Sequence, residues 1–319
     1  MEYKRLGRTD LLVSRIAFGC YPMGGWDWGK VSDRDSVLAV RKAIQKGINL
    51  FDTADIYGLG HSEEVLTKGL GAYRKKAVIA TKVGLKWDPV KKSSQRDLSP
   101  AYLKRSIEKS LSRLKISCIP IYQIHYLDNK TPIGETVDML KKLQKQGKFK
   151  YLGISNCSVK SVLEFQKYAR IESIQLPYNL LNQETARPFY SVCREHEISI
   201  FSYGSLAQGL LSGKYDARMV FKDNDHRSRD KNFKATRFAA NLEIVGCLKK
   251  MSVKYARRCS QLSLNWILSN PDISSAIVGM KTARQVDENA SVAGWRILRQ
   301  DYEKLMKIRD SVYKKYNLF

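Results

Sequence analysis

The 319-residue sequence is short of acid: 31 Asp and Glu stand against 56 Lys and Arg, a formal net charge of +25 at pH 7. Its 8 prolines and 20 glycines follow no repeat, which excludes collagen-like and low-complexity chains. The six cysteines (Cys20, Cys118, Cys157, Cys193, Cys247, Cys259) never take a Cys-x-x-Cys spacing. That excludes a zinc ribbon, a thioredoxin-type pair and a disulfide framework, and leaves reduced thiols. No stretch approaches the roughly 18 to 20 apolar residues that span a bilayer. The start, Met1-Glu2-Tyr3-Lys4-Arg5, lacks the apolar core of a signal peptide, so a cytoplasmic location is expected. What is present is core-forming material, 43% hydrophobic and 10% aromatic residues, which no disordered chain would carry.

A cationic surplus of this size could serve a nucleic acid, an anionic membrane or an anionic small molecule. The cations are spread over most expected helices (Arg41-Lys42, Lys104-Arg105, Lys141-Lys142, Lys249-Lys250, Arg257-Arg258, Lys314-Lys315), with one denser loop from Arg227 to Arg237. Dispersed charge favours a solvated surface, and no nucleic-acid-binding module spacing is found, so neither nucleic acid nor membrane is expected as a partner. The oligomeric state is not legible.

Short apolar runs alternate with amphipathic patterns. Strands are expected at Ile16 to Gly19, Ile48 to Asp52, Ala77 to Lys82, Ile119 to His125, Phe149 to Ser155, Ile171 to Gln175, Ile198 to Tyr203 and Ser275 to Gly279. Helices are expected at Asp33 to Lys46, Ser62 to Leu70, Pro100 to Leu114, Pro132 to Gln146, Ser158 to Tyr168, Glu184 to His196, Asn241 to Leu268 in two pieces, and Ala283 to Val292. Eight strand–helix units imply a (β/α)8 barrel in a single domain, residues 1–319. Tyr3 to Val13, with a turn at Gly7-Arg8-Thr9-Asp10, reads as a hairpin that plugs the barrel floor, and Ile297 to Phe319 as an extra terminal helix. Lys214 to Thr236 is long and polar, marking either a lid or a disordered loop.

In such a barrel, chemistry sits at the C-terminal ends of the strands. Asp52, Lys82, His125, Ser155-Asn156, Gln175 and Tyr203 stand at six successive ends, Gly279-Met280-Lys281 follows the last strand, and Tyr57 lies in the loop after Asp52. Reducing a carbonyl needs a proton donor for the oxygen, and a tyrosine of ordinary pKa about 10 is a reluctant base in the reverse direction. A nearby Lys82 ammonium is expected to lower that pKa, Asp52 to hold the ammonium, and His125 to hydrogen-bond the carbonyl oxygen. Rival signatures fail. No Gly-x-Gly-x-x-Gly follows a strand and no P-loop is present. Tyr126-x-x-x-Lys130 has the short-chain dehydrogenase spacing, but Tyr and Lys are abundant here. His61-Ser62-Glu63-Glu64 lacks the second ligand cluster that a metal site would need.

Asp52-Thr53-Ala54-Asp55-Ile56-Tyr57-Gly58, Ala80-Thr81-Lys82, Tyr122-Gln123-Ile124-His125, Gly153-Ile154-Ser155-Asn156 and Ala207-Gln208-Gly209-Leu210-Leu211-Ser212-Gly213-Lys214-Tyr215, in this order, resemble the aldo-keto reductase family. The resemblance implies a barrel that binds a nicotinamide dinucleotide across its mouth, with NADPH the expected reductant and an aldehyde or ketone the substrate. By it Tyr57 is the acid/base, Lys82 and Asp52 tune it, and His125 positions the carbonyl. Ser155, Asn156 and Gln175 resemble the residues that hold the nicotinamide carboxamide, and Tyr203 the aromatic on which the ring stacks. Cys20, Tyr21, Met23 and Gly204 fall within the same cofactor-binding loops. Leu206, Gln208, Gly209, Leu211, Gly213 and Lys214 match the pyrophosphate loop, and Gly279, Lys281, Gln285, Glu288 and Asn289 the adenosine end. Lys281 is the expected 2′-phosphate partner, where other branches add an arginine at the Gln285 position. The sequence departs at Gly19-Cys20-Tyr21 and at Ser205. Gly24-Gly25-Trp26-Asp27-Trp28-Gly29 resembles a bacterial branch that includes stress-linked reductases. Tyr21, Trp26, Trp28, Trp87 and Tyr126 are candidate substrate walls. The resemblance also extends to channel β-subunits, which implies the alternative of an auxiliary or sensing subunit with vestigial turnover.

Overall fold

The computed structural model describes residues 1–25, 28, 31–88, 90–91 and 93–319. In chain order its elements are β1 (Tyr3–Arg5), β2 (Leu12–Ser14), β3 (Ile16–Gly19), α1 (Asp33–Gln45), β4 (Leu50–Asp52), α2 (His61–Leu70), β5 (Val78–Val83), β6 (Leu85–Asp88), β7 (Ser93–Arg96) and α3 (Pro100–Leu114). There follow β8 (Ile119–Ile124), α4 (Ile133–Lys145), β9 (Phe149–Ser155), α5 (Val159–Tyr168), β10 (Ser173–Pro177), α6 (Tyr190–Glu195), β11 (Ser199–Tyr203), α7 (Ala235–Lys254), α8 (Cys259–Leu268), β12 (Ile273–Gly279), α9 (Ala283–Ala290) and α10 (Arg299–Lys315). Strands β3, β4, β5, β8, β9, β10, β11 and β12 pair in parallel and close into a barrel. This is the (β/α)8 architecture that the strand–helix alternation implies.

Successive strand side chains point to opposite faces, and that period places the strand residues that reach the mouth. Leu50, Val78, Ala80, Ile121, Phe201 and Ile277 point inward and form the interior cluster. Two residues after Leu50 the same face carries Asp52. Two after Ala80 it carries Lys82, and two after Ile121 it carries Gln123. The outward residues Phe18, Phe51, Ile79 and Ile154 join the larger core under the helices.

The floor is closed by the β1–β2 hairpin, paired Tyr3 to Ser14 and Arg5 to Leu12. Its Leu6 and Val13 are fully buried within the interior cluster, each worth about 1.5–3 kcal/mol relative to exposure. The hairpin is therefore part of the core and plugs the barrel as expected.

Local chemistry fixes several boundaries. Ser99 caps α3 with Pro100 at its first position, where the missing N–H costs nothing. Gly47 and Gly147, at φ +79° and +73°, end α1 and α4 in left-handed turns. The helix expected over Glu184 to His196 shrinks to a 3-10 turn at Arg187–Phe189 followed by α6, because Pro188 donates no N–H to an α-helical ladder. Helix α7 begins at Ala235 rather than Asn241, and α10 occupies Arg299–Lys315 within the expected terminal segment. The β6–β7 hairpin, paired Leu85 to Arg96 and Asp88 to Ser93, was not expected. The long loop before α7 packs on itself through Tyr215, Phe221 and Phe233, whose ring centroids lie 4.9–5.6 Å apart. Among the described residues no helix is long and apolar enough to cross a membrane.

Candidate active site

An ammonium group has three N–H donors, and Lys82 uses all three. Its Nζ donates to Asp52 Oδ2 at 2.8 Å, to the Thr53 carbonyl at 2.8 Å and to the Tyr57 hydroxyl at 3.3 Å. The other Asp52 oxygen accepts from Gln175 Nε2 at 2.8 Å and from Gln123 Nε2 at 3.5 Å. Lys82 is fully buried and Asp52 is 4% exposed. A buried ion pair survives desolvation only when its remaining donors and acceptors are also met, and here they are.

Tyr57 is held by an unusual turn. Gly58, Leu59 and Gly60 follow it with φ of +59°, +56° and +99°. A Cβ on Gly58 would run into the Gly24 carbonyl, and one on Gly24 would stand 2.7 Å from the Gly58 nitrogen. Two glycines thus press the Tyr57 loop against the loop after β3, where Tyr21 packs 4.8 Å from the Tyr57 ring. Burial, then the Asp52 carboxylate, hold the Tyr57 phenol well above its ordinary value. This reverses the expectation that Lys82 lowers it. Removal from water disfavours phenolate, and the Asp52 carboxylate adds to that effect.

His125 follows β8 on the inward face, its ring 5.9 Å from that of Tyr57 and edge-on to it. Burial first, and Lys82 second, keep its pKa well below the usual imidazole range. The ring is therefore neutral near pH 7, with one N–H to donate. Its Nδ1 is buried and finds no protein partner among the described residues.

The residues expected to hold nicotinamide come together. Asn156 Nδ2 donates to the His125 carbonyl and to Ser155 Oγ, each at 3.0 Å. Tyr203 donates to Asn156 Oδ1 at 2.7 Å, and Ser155 Oγ to the Gln175 carbonyl at 3.0 Å. Farther along the mouth, Gly204, Gln208, Gly209 and Gly213 all have positive φ, and Lys214 lies against Gly209, where a Cβ would stand 3.2 Å from its Nζ. Lys281 Nζ donates to the Trp28 carbonyl at 3.0 Å, while its backbone N–H is held by Gln285 Oε1 at 2.7 Å. Burial lowers the Lys281 pKa, as do Arg227 and Lys214. Arg227 and Lys214 thus crowd Lys281 with like charge, which an anion would relieve, so the residues present fit a dinucleotide phosphate. Arg227, at the head of the dense cationic loop Arg227 to Arg237, is fixed by Asp225 at 2.7 Å and by the Tyr215 hydroxyl, a pairing that only the folded loop reveals.

The remaining expected residues have protein neighbours of their own. Cys20 is buried, its N–H given to the Asp52 carbonyl and its own carbonyl accepting from Ser62. Met23 and Leu211 point into the core, and Leu206 packs partly buried against it. Gly279 lies under Pro22. Glu288 is occupied by Arg258 and Ser260, and Asn289 is buried in α9. Of the aromatic wall, Trp28 stands edge-on to Tyr21 at 5.8 Å and Tyr126 stacks on His125 at 5.2 Å. Trp87 sits in the β6–β7 hairpin opposite Ser94, and Trp26 lies outside the described residues.

Comparison with known proteins gives a consistent answer. The model of the Aldo/keto reductase family matches residues 15–310. The aldo-keto reductase YhdN of Bacillus subtilis is 33% identical over 98% of this chain and 94% of its own length. The NADH-specific methylglyoxal reductase of Escherichia coli is 30% identical over 90% of this chain and 91% of its own. Among solved structures, a glycerol dehydrogenase of Gluconobacter oxydans superposes with a TM-score of 0.89 at 32% identity, covering 99% of this chain and 96% of that one.

Proposed function

The chain belongs to the aldo-keto reductase family, and we propose that it reduces a small aldehyde or ketone to the alcohol with NADPH, Tyr57 supplying the proton. The observation that carries this reading is the Lys82 ammonium bonded at once to Asp52 and to the Tyr57 hydroxyl. The bound dihydronicotinamide would supply a hydride to the carbonyl carbon. His125, neutral, donates a hydrogen bond to the carbonyl oxygen and orients it. The Tyr57 O–H bond breaks as its proton passes to that oxygen, and the phenolate left behind faces the Lys82 ammonium until solvent returns a proton. A phenol held above its ordinary pKa remains protonated across the physiological range, which suits the reductive direction.

Ser155, Asn156 and Gln175 would hold the carboxamide and Tyr203 would stack on the ring. Lys214, Arg227 and Lys281 would face the phosphates, with Lys281 the group that favours NADPH over NADH. An auxiliary or sensing subunit needs no proton relay, and the joined Asp52, Lys82 and Tyr57 argue against that role. The test is oxidation of NADPH and of NADH in parallel against a panel of small aldehydes and keto-sugars. Substrate-dependent oxidation with a lower KM for NADPH is expected. An equal or lower KM for NADH removes the role of Lys281, and no oxidation with either cofactor overturns the proposal.

A further inference from the structure

Beneath the Tyr57 loop lies a second carboxylate, half-buried and with its Oδ1 closed off from solvent, that the proposed proton relay does not use. Asp55 stands between β4 and α2, two residues before Tyr57. Its Oδ2 accepts from Ser106 Oγ of α3 at 2.6 Å and lies 3.4 Å from the Tyr102 hydroxyl of α3. The same Tyr102 hydroxyl lies 2.9 Å from the Leu85 carbonyl, where the β6–β7 hairpin begins. The Asp55 backbone N–H reaches the Lys82 carbonyl at 3.4 Å, and the Tyr57 N–H returns to Ala54 at 3.2 Å. One side chain therefore ties the loop bearing Tyr57 to a barrel helix and, through Tyr102, to the hairpin carrying Trp87.

The surroundings are closed. Glu63 of α2 is fully buried and is taken by Thr81 of β5 and Arg113 of α3, both at 2.6 Å. Tyr122 of β8, whose hydroxyl has no protein partner among the described residues, adjoins the same group. Asp55 Oδ1 is likewise buried without one.

Resting on the reading of Tyr57 as the proton donor, we propose that Asp55 is a positioning residue: its carboxyl pins the Tyr57 loop to α3 and sets where the Tyr57 hydroxyl stands relative to Lys82. Burial raises its pKa to about 7, so the carboxyl is mostly protonated below neutral pH, where an amide matches its shape and its accepting oxygen. Asparagine should therefore replace it and alanine should not.

The experiment compares Asp55→Ala, Asp55→Asn and Ser106→Ala with the unaltered protein, using methylglyoxal and NADPH, and adds a crystal structure of each. Displacing a reacting group by an ångström costs about a hundredfold. Asp55→Ala is expected to lose kcat on that scale with KM for NADPH unchanged and the Tyr57–Lys82 contact of 3.3 Å broken, Ser106→Ala to lose less, and Asp55→Asn to restore both contact and rate. An Asp55→Ala crystal structure with the contact intact overturns the proposal, as does a fall in kcat matched by Asp55→Asn. Should Asp55→Ala not fold, Ser106→Ala with an unmoved Tyr57 hydroxyl overturns it. If the unaltered protein turns over no carbonyl, the reading of Tyr57 as acid fails, and the crystallographic arm still decides whether Asp55 places it.

Discussion

At the barrel floor Arg8 meets Glu197 and Lys150 meets Asp10, with side chains 46–64% exposed; at the mouth Lys82 meets Asp52 with side chains 0% and 6% exposed. The pairs use the same chemistry in different solvents. At the floor, water and salt screen the attraction, and such pairs typically contribute little. The floor is held instead by Leu6 and Val13 in the interior cluster. At the mouth the ions have been stripped of water, so their cost is high and their effect on a neighbouring phenol is strong. Stability is thus built at one end of the barrel, and charge is concentrated for chemistry at the other.

The largest test of this contrast is Tyr57→Phe. Losing a positioned proton donor typically costs about 10²–10⁴-fold in rate, and we expect that loss in kcat with cofactor binding and melting temperature unchanged; retained turnover would remove Tyr57 from the mechanism. Lys82→Met leaves Asp52 buried without its cation, which should lower unfolding free energy by about 3–5 kcal/mol in chemical denaturation. A change within the error of that measurement would mean that water reaches the mouth.

A smaller effect should follow pH. The folded pKa of Asp55, about 7, lies above its ordinary 3.8, so the folded state binds the extra proton between those values. Its contribution is therefore whole below 3.8 and lost as pH rises through 7. Melting temperature should fall between about pH 5 and about pH 8, and Asp55→Asn should flatten that fall; parallel curves would count against it. The smallest effect is expected at the floor, where Arg8→Ala should leave the melting curve where it was.

The sequence made the barrel legible because its strands are short apolar runs, six of them ended by a polar group, and those ends marked Asp52, Lys82 and His125 as one set. The β6–β7 hairpin was hidden because Lys86, Ser93, Ser94, Gln95 and Arg96 are exposed and polar, giving no alternation to read. Asp55 and Glu63 were passed over because acids near a helix start ordinarily face water, and only the packing of α3 shows Glu63 buried and Asp55 with one oxygen closed off. The direction of the Tyr57 shift was missed for a related reason: spacing places a lysine near a phenol, but the balance between that cation, Asp52 and lost solvent exists only in three dimensions. Arg227 lay within a dense run of cations, and nothing in that run set it apart from Arg229 or Lys231.

The Gly24–Gly58 contact has a practical consequence for directed evolution of this enzyme. A library that randomises the loops around the mouth would reach first for the segments beside Tyr57, yet any side chain at either glycine must push two backbones apart and shift the phenol with them. Substrate scope should be sought from Tyr126 and from Trp87, away from the Leu85–Tyr102 tie, while residues 24 and 58 are held constant.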